Sequence, residues 1–158
     1  MAVEIERKFL VNPYPFCLPK LGKGKRIEQF YLSTNPCVRV RIVGKRYRAF
    51  LTIKGPGLLS RSEFEFQIPV RDAVDMIAMG SKPIVKTRYK VRHEGHTWEI
   101  DMFDGALDGL WLAEIELKSE DETFVMLPGA TKEVTHDPMY SNAYMSEHGM
   151  PPGTPLYF

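Results

Sequence analysis

The chain begins with charged and apolar side chains in alternation. Glu4, Glu6 and Lys8 occupy every second position of residues 3–10, and apolar side chains lie between most of them. A period of two predicts a β-strand that carries two carboxylates and an ammonium group on one face. Neighbouring carboxylates repel each other unless a cation lies between them, and a divalent ion with oxygen ligands is the natural candidate. The alternative is the solvated face of an edge strand.

Similar alternation recurs along the chain and predicts eight strands. They are residues 3–10, 26–33, 37–43, 46–54, 61–70, 83–92, 96–103 and 111–118. Helical spacing predicts a short helix over residues 71–79. A capping pattern of Ser119 with Glu122 predicts a second helix through Leu127, and Asp137 followed by Pro138 predicts a last helix near 138–147.

The charges of the predicted strands are sorted by sign. The acids pair as Glu4 with Glu6, Glu63 with Glu65, Glu99 with Asp101 and Glu114 with Glu116, and the bases as Arg39 with Arg41 and Lys86 with Arg88. The opposite faces carry large apolar side chains that need burial. A closed sheet with the charges inside satisfies both requirements. The predicted fold is therefore an α+β domain over residues 1–158, an eight-stranded antiparallel β-barrel or tunnel with a charged interior, flanked by a few helices.

The inward cations are too numerous for a single carboxylate ligand. They are Lys8, Arg39, Arg41, Lys54, Arg61, Lys86 and Arg88. Such a set suits a compact polyanion, and a phosphate chain fits best, because Arg binds phosphate oxygens in pairs and Lys acts as a point charge. The acid pairs would repel this ligand unless they hold divalent ions that bridge it. Together these are the components of a phosphoryl-transfer site.

Composition excludes several other functions. The 158 residues contain 21 Lys and Arg against 20 Asp and Glu, which argues against a general nucleic-acid or membrane-surface binder. No apolar run reaches membrane-spanning length. Cys17 and Cys37 have no disulfide-framework spacing, and no signal peptide is visible, so we expect a reduced, cytoplasmic compartment.

A few positions allow two interpretations. Lys90 and Arg92 could extend the basic lining or lie in water at the mouth of the tunnel, and Arg48 could contact phosphate. His93 and His96 flank a predicted hairpin turn and could bind a metal, although turn histidines are usually solvated. Trp98 and Trp111 fall on the apolar faces, so we expect both in the core.

These segments resemble the CYTH family, the triphosphate tunnel metalloenzymes. The opening Glu4–Phe9 is similar to the family's E-x-E-x-K signature. The resemblance continues at residues 29–32, 39–41, 51–54, 60–65, 86–89, 99–103, 114–116, 133–137 and 140–142. An ordered set of motifs over nearly the whole chain is far more specific than any one of them.

The resemblance implies a role for most charged positions. Metal ligands would be Glu4, Glu6, Asp101, Glu114 and Glu116, and Glu63 and Glu65 match a pair with metal-binding or water-positioning roles. Phosphate-binding residues would be Lys8, Arg39, Arg41, Lys54, Lys86 and Arg88, and the residue pattern adds Arg61. Catalytic roles are expected for Glu6, for Tyr31, which matches a tunnel tyrosine that tunes hydrolysis, and for Lys86 in proton transfer.

The expected reaction is hydrolysis of a triphosphate, first of all inorganic tripolyphosphate, to diphosphate and phosphate with Mg²⁺ or Mn²⁺. The alternatives are a class IV-type adenylyl cyclase, a thiamine- or nucleoside-triphosphatase, and a non-catalytic polyphosphate-binding module. The expected partner is the small-molecule substrate, with no nucleic acid and no membrane, and a homodimer is possible.

Overall fold

Nine strands form one antiparallel sheet in the computed structural model, which describes residues 2–16, 21–45 and 47–158. The strands are β1 (Ala2–Val11), β2 (Lys25–Thr34), β3 (Cys37–Val43), β4 (Arg48–Lys54), β5 (Ser60–Ile68), β6 (Ile84–His93), β7 (His96–Phe103), β8 (Trp111–Glu116) and β9 (Ala130–Glu133). The helices are α1 (Val70–Met76) and α2 (Asn142–His148), and 3₁₀ turns occupy Ile77–Met79, Gly105–Leu107 and Pro138–Tyr140.

The first strand closes the sheet into a barrel. The strand order is β5-β4-β3-β2-β6-β7-β8-β1, and the start of β1 also pairs with β5. Glu4 lies opposite Arg61 of β5, and Glu6 lies opposite Glu116 of β8. The predicted eight-stranded antiparallel barrel is therefore confirmed, and β9 adds to it along β1.

Apolar side chains cover the outside of the barrel. Phe9, Trp98 and Ile115 belong to one buried cluster, and Phe30 packs with Ala73 of α1 in another. Because side chains alternate along a strand, these clusters leave the charged positions to the interior. Both tryptophans are buried, as the sequence predicts.

The interior changes from charged to apolar at one end. Leu10 lies opposite Leu112 on the same face as Lys8, and Phe103 shares the face of Asp101. These side chains form a buried cluster with Met145 of α2 and neighbouring residues. An apolar layer beneath α2 therefore fills this end of the barrel, a feature that the sequence analysis does not predict.

The predicted helix from Ser119 to Leu127 is wrong. The Glu122 carboxylate accepts hydrogen bonds from the Lys118 amide and from His96 Nε2, and the chain then runs without regular secondary structure. Phe124 packs against Phe9 and Trp98, 6.1 and 5.6 Å between ring centroids. Packing on the barrel therefore outweighs the local capping pattern, and the segment leads into the unpredicted strand β9.

The other helical predictions differ from the structure mainly in their boundaries. Helix α1 and the 3₁₀ turn after it match residues 71–79. The last predicted helix divides in two, because Asp137 caps the 3₁₀ turn and Ser141 caps α2. Cys17 and Arg46 lie outside the described residues. Among the residues that the structure describes, no helix is long and apolar enough to span a membrane.

Candidate active site

The sorted charges of the strands converge on one interior space. A main cavity of about 520 Å³ is lined by six carboxylates and four cations, namely Glu4, Glu6, Glu63, Glu65, Glu99, Glu116, Arg39, Arg41, Lys54 and Arg88. An inner pocket of about 50 Å³ shares four of these side chains and adds Lys8, Tyr31, Arg61, Lys86 and Glu114. The structure thus brings together all the predicted site residues except Asp101 as lining of these two cavities.

Asp101 lies beneath the cavity lining. Its side chain is 1% exposed, and its oxygens accept hydrogen bonds from Lys86 Nζ at 2.6 Å, Arg88 Nε at 2.7 Å and Arg88 Nη2 at 2.8 Å. Burial opposes ionisation, but Arg88 and Lys86 outweigh it and lower the pKa of Asp101. In this arrangement Asp101 holds two cations in place, and its role as a metal ligand stays a prediction.

Arg88 is surrounded by carboxylates. Besides Asp101, it donates to Glu99 at 3.1 Å and to Glu114 at 3.2 Å. Burial disfavours the charged guanidinium, but these partners raise the pKa of Arg88 well above its ordinary value. Burial likewise opposes the charge of Glu114, while Lys8 and Arg88 lower its pKa well below the usual range. The positive charge on this wall is therefore largely neutralised by the protein itself.

Arg41, on the neighbouring wall formed by β2 and β3, is held by a neutral side chain. Its Nε and Nη2 donate to Gln29 Oε1 at 3.0 and 2.9 Å, and Gln29 Nε2 donates to Tyr31 Oη at 2.9 Å. Burial, together with repulsion from Arg39 and Arg88, lowers the pKa of Arg41 to about 9. No carboxylate forms an ion pair with Arg41 among the described residues, so its charge is available to a ligand.

Arg39 has an unused donor. Its Nη2 donates to Thr52 Oγ1 at 3.1 Å, and Glu65 lies 3.5 Å away. Its Nε is buried without a hydrogen-bond partner in the described parts of the chain. A buried donor without a partner is costly, and a bound anion would satisfy it. Sequence reasoning missed Gln29 and Thr52, although each shares the strand face of a predicted site residue.

The acidic side of the main cavity has too few cations. Glu4 is paired with Lys54 at 2.9 Å and Arg61 at 3.3 Å. Glu6, in contrast, lies opposite Glu116 in the sheet, and burial with repulsion from Glu114 and Glu4 raises the pKa of Glu6 to about 8. The pKa values of Glu116 and Glu63 are raised as well, first by burial and then by neighbouring acids. These oxygen donors fit a hard divalent cation.

A complete metal site is not preassembled from protein side chains alone. Within residues 2–16, 21–45 and 47–158, no three His, Cys, Asp or Glu side chains form a group that could hold an ion. The two histidines at the β6–β7 hairpin do not form such a group either. His93 lies opposite His96, and His96 forms a hydrogen bond with Glu122 at 2.9 Å. An ion in the tunnel would thus share its coordination with substrate and water, as Mg²⁺ commonly does.

All three predicted catalytic side chains, Glu6, Tyr31 and Lys86, line the inner pocket. Burial raises the pKa of Tyr31 to about 12, so its hydroxyl stays protonated near neutral pH. Burial lowers the pKa of Lys86 to about 8 against the attraction of Asp101, and its Nζ also donates to Asn142 Oδ1 at 3.3 Å. Their participation in catalysis stays a prediction.

The positions that allowed two interpretations lie in different environments in the structure. Lys90 lines a cavity beside the main one. Arg92 donates to Thr97 Oγ1 at 2.9 Å on the surface, and Arg48 is exposed at the start of β4. Glu99 lines the main cavity but is paired with Arg88.

The closed barrel and its cavity define a β-barrel protein with a charged interior. A family model described as the CYTH domain matches residues 2–141, and the chain belongs to this family. The family predicted from the sequence is thereby confirmed.

Relatives with assigned names support the same placement. An inorganic triphosphatase of Acetivibrio thermocellus is 39% identical over 148 residues, which cover 90% of this chain and 92% of the relative. An inorganic triphosphatase of Nitrosomonas europaea is 36% identical over 149 residues, 88% of this chain and 93% of the relative. The crystal structure of the inorganic triphosphatase NE1496 aligns with a TM-score of 0.66 and 33% identity, covering 97% of this chain and 99% of that one.

Proposed function

We propose that this protein hydrolyses inorganic triphosphate to diphosphate and phosphate inside the barrel. The observation that carries this proposal is that one cavity contains both basic and acidic side chains without partners of opposite charge. Among the described residues, Arg41 forms no ion pair with a carboxylate, and Arg39 Nε has no hydrogen-bond partner. Glu6 and Glu116 lie opposite each other in the sheet, and neither forms an ion pair with a basic side chain in the same described residues. A phosphate chain with a bound divalent ion satisfies both. The names of the relatives agree with this class of reaction.

The basic residues bind and orient the phosphate chain. Arg41 and Arg39 offer guanidinium N–H groups, which match the spacing of phosphate oxygens, and Lys54 adds a point charge. Gln29 fixes the Arg41 guanidinium from behind, so that the group needs little rearrangement when substrate binds. Preorganised positive charge stabilises the charge that develops in phosphoryl transfer, which is the largest contribution a protein makes to this reaction.

Glu4, Glu6, Glu63 and Glu116 would hold Mg²⁺ or Mn²⁺, the ions that the CYTH resemblance implies. A bound ion would neutralise phosphate charge and acidify a coordinated water. Glu6 holds a proton near neutral pH because its pKa is raised to about 8, and it would release that proton when a cation arrives. The choice between Mg²⁺ and Mn²⁺, the cytoplasmic location and a homodimer stay predictions.

The lining of the main cavity favours an inorganic substrate over an organic triphosphate. Apart from charged side chains, the described lining consists of Ala2 and Val3, with no aromatic ring on which a base could stack. An adenylyl cyclase or a thiamine triphosphatase would have to bind its organic group elsewhere. A passive polyphosphate-binding module is disfavoured because the acid pairs would weaken anion binding in the absence of metal.

A substrate panel with a matched pair of variants tests this proposal. Tripolyphosphate, ATP, thiamine triphosphate and diphosphate are each incubated with Mg²⁺ or Mn²⁺, and the products are identified. We expect the highest kcat/KM for tripolyphosphate, and loss of metal-dependent turnover in Glu6→Gln but not in Glu120→Gln, which alters an exposed carboxylate. Cyclic AMP as the main product, or wild-type turnover by Glu6→Gln, would refute the proposal.

A further inference from the structure

The second half of β5 has a free edge. Strand β1 pairs with β5 only as far as Ala2, which lies opposite Glu63, whereas β4 pairs with the other edge of β5 as far as Ile68. In the described structure, no strand pairs with the outer edge of residues 64–68. This free edge lies beside the main cavity, because both Ala2 and Glu65 belong to the cavity lining.

The hydrogen bonds of β5 show which backbone groups point to the free edge. Ser62 O accepts a hydrogen bond from the loop after β4, and Leu59 O, just before β5, accepts one from β1. Backbone groups alternate in direction along an antiparallel strand, so even-numbered residues of β5 face β4 and odd-numbered residues face the free edge. The N–H and C=O groups of Glu65 and Gln67 therefore have no sheet partner within the described chain, and both residues are exposed.

The free edge is apolar on its outer face and lacks the usual protection against pairing. Phe64 and Phe66 are 45% and 56% exposed, and Ile53, which lies opposite Phe64 on β4, is 36% exposed. Natural edge strands are commonly protected by Lys, Pro or a bulge. Residues 64–68 contain no Lys, Arg or Pro, and they pair with β4 without a bulge. Unpaired backbone groups beside exposed aromatic rings predict the addition of another strand.

We propose that the free edge pairs in antiparallel fashion with the same edge of a second copy of this chain, about a two-fold axis at Phe66. In this register Glu65 lies opposite Gln67 of the partner subunit, and the two residues exchange both of their backbone hydrogen bonds. The two Phe66 side chains then form a non-hydrogen-bonded pair, in which side chains are closest, and Phe64 lies opposite Ile68 of the partner subunit. The interface is isologous, as in most homodimers.

Neighbouring registers fit the edge less well. An axis at Glu65 places two carboxylates directly opposite each other, which is destabilising. An axis at Gln67 places Glu65 opposite Pro69 of the partner subunit, which has no N–H to donate. The Phe66 register opposes no like charges and uses every free backbone group. This self-complementarity is the reason for assigning the edge to a second copy rather than to an unrelated extended peptide.

The pairing also places a side chain of the partner subunit at the rim of the main cavity. Directly opposed residues of a sheet share a face, so the Gln67 amide of the partner subunit lies on the cavity face beside Glu65. The two barrels would thus be joined next to their open cavities. This assembly goes beyond the hydrolysis proposed above and does not depend on it.

A matched pair of variants at one position tests the backbone pairing. Gln67→Pro removes the N–H that points to the free edge and leaves the hydrogen bonds to β4 intact, whereas Gln67→Ala keeps that N–H. Sedimentation from about 1 µM to about 1 mM measures the dimer dissociation constant. We expect dimers for wild type and Gln67→Ala, and a dissociation constant raised by about thirtyfold for Gln67→Pro, because two hydrogen bonds are lost per dimer. Circular dichroism and tripolyphosphate hydrolysis report whether each variant is folded.

Oxidative cross-linking tests the register without relying on Gln67→Pro. Phe66→Cys and Phe64→Cys are compared in a background of Cys17→Ser and Cys37→Ser. At position 66 the two Cα atoms would lie about 4.5 Å apart, which suits a disulfide, whereas at position 64 they would be about 13 Å apart. We therefore expect a covalent dimer from Phe66→Cys alone.

Several results would overturn the inference. They are a wild type that stays monomeric over the whole concentration range, equal dissociation constants for folded Gln67→Pro and Gln67→Ala, and cross-linking of Phe64→Cys as efficient as that of Phe66→Cys. If Gln67→Pro does not fold, the cross-linking comparison decides. A monomeric wild type that binds extended peptides at this edge would also refute pairing with a second copy.

Discussion

Arg41 and Arg88 face the same cavity, but their surroundings differ. Arg88 donates to three carboxylates, and its pKa is raised well above the ordinary value despite burial. Arg41 donates only to the Gln29 amide within the described structure, and burial with nearby arginines lowers its pKa to about 9. Two arginines that both point into the barrel therefore have different roles. Arg88 belongs to a balanced network that maintains the wall, whereas Arg41 keeps its charge for a ligand.

The difference shows how a folded protein can keep a buried charge without a partner of opposite charge. A buried ion pair contributes little net stability, yet removing one partner is costly. A neutral amide can orient a guanidinium while leaving its charge unmatched, and the cost appears as a lowered pKa. The wall with paired charges should thus respond to substitution mainly through stability, and the wall with unmatched charge mainly through activity.

The largest effect is expected for Asp101→Asn on the paired wall. The change leaves Lys86 and Arg88 buried beside a neutral amide, so the free energy of unfolding should fall by about 3–5 kcal/mol. Urea denaturation of the metal-free protein measures this, with Asp75→Asn, at an exposed position of α1, as control. A loss no larger than that of the control would contradict the structural role assigned to Asp101.

Arg41→Met should separate activity from stability. We expect kcat/KM for tripolyphosphate to fall about 100-fold to 1000-fold, the range found when one preorganised donor is removed from a transition state. The free energy of unfolding should be unchanged or higher, because a buried cation without a carboxylate partner is removed. Arg88→Met, the matched variant, should lose stability as well as activity. Equal destabilisation by both would erase the distinction between the walls.

Gln29→Glu should convert the surroundings of Arg41 into those of Arg88. A carboxylate at this position would form an ion pair with Arg41, raising stability at neutral pH and raising KM for tripolyphosphate about tenfold. Gln29→Met removes the two hydrogen bonds from Arg41 and the one to Tyr31 without adding charge, so it should lower kcat more than it changes KM. Identical kinetics in the two variants would show that Gln29 only fills space.

A pH-dependent effect is expected for Glu6, which is the acidic counterpart of Arg41. Its pKa in the folded protein is raised from 4.5 to about 8, so the folded state holds the proton more tightly than the unfolded state. The resulting stability is fully present below about pH 4.5 and is lost as pH rises through about 8.

Metal-free protein should therefore lose stability between these pH values, by at most about 1.4 kcal/mol per pH unit from this group. Thermal unfolding in the presence of a chelator should show a shallower decline of stability with pH for Glu6→Gln than for wild type. Wild type with Mg²⁺ and no chelator should also show a shallower decline. An identical pH dependence in wild type and variant would mean that Glu6 ionises normally.

Strand parity accounts for most of what the sequence predicts correctly. Alternation identifies which side chains share a face, and closure of the sheet brings those faces together, as Glu6 and Arg88 illustrate. The alternation along a strand does not show how deep in the barrel a side chain lies, however. Asp101 shares a face with Glu99 but lies beneath the cavity, while Phe103 on the same strand belongs to the apolar layer.

Contacts across strands depend on register, which one strand alone does not specify. Gln29 reaches Arg41 because β2 pairs with β3 at these positions. The misassigned helix has a related cause, since the capping pattern at Ser119 is local whereas Phe124 packs against distant strands. The Gln29 contact and the segment after Ser119 were not predicted because both depend on contacts with neighbouring strands.

The apolar layer beneath α2 has a consequence for the order of events in turnover. Leu10, Phe103 and Leu112, with Met145 above them, fill the barrel beyond Lys86. We therefore expect substrate to enter and products to leave through the same open end of the barrel. Diphosphate left in the lumen would block the next triphosphate, and the rate at which it departs would limit how fast the enzyme can cycle.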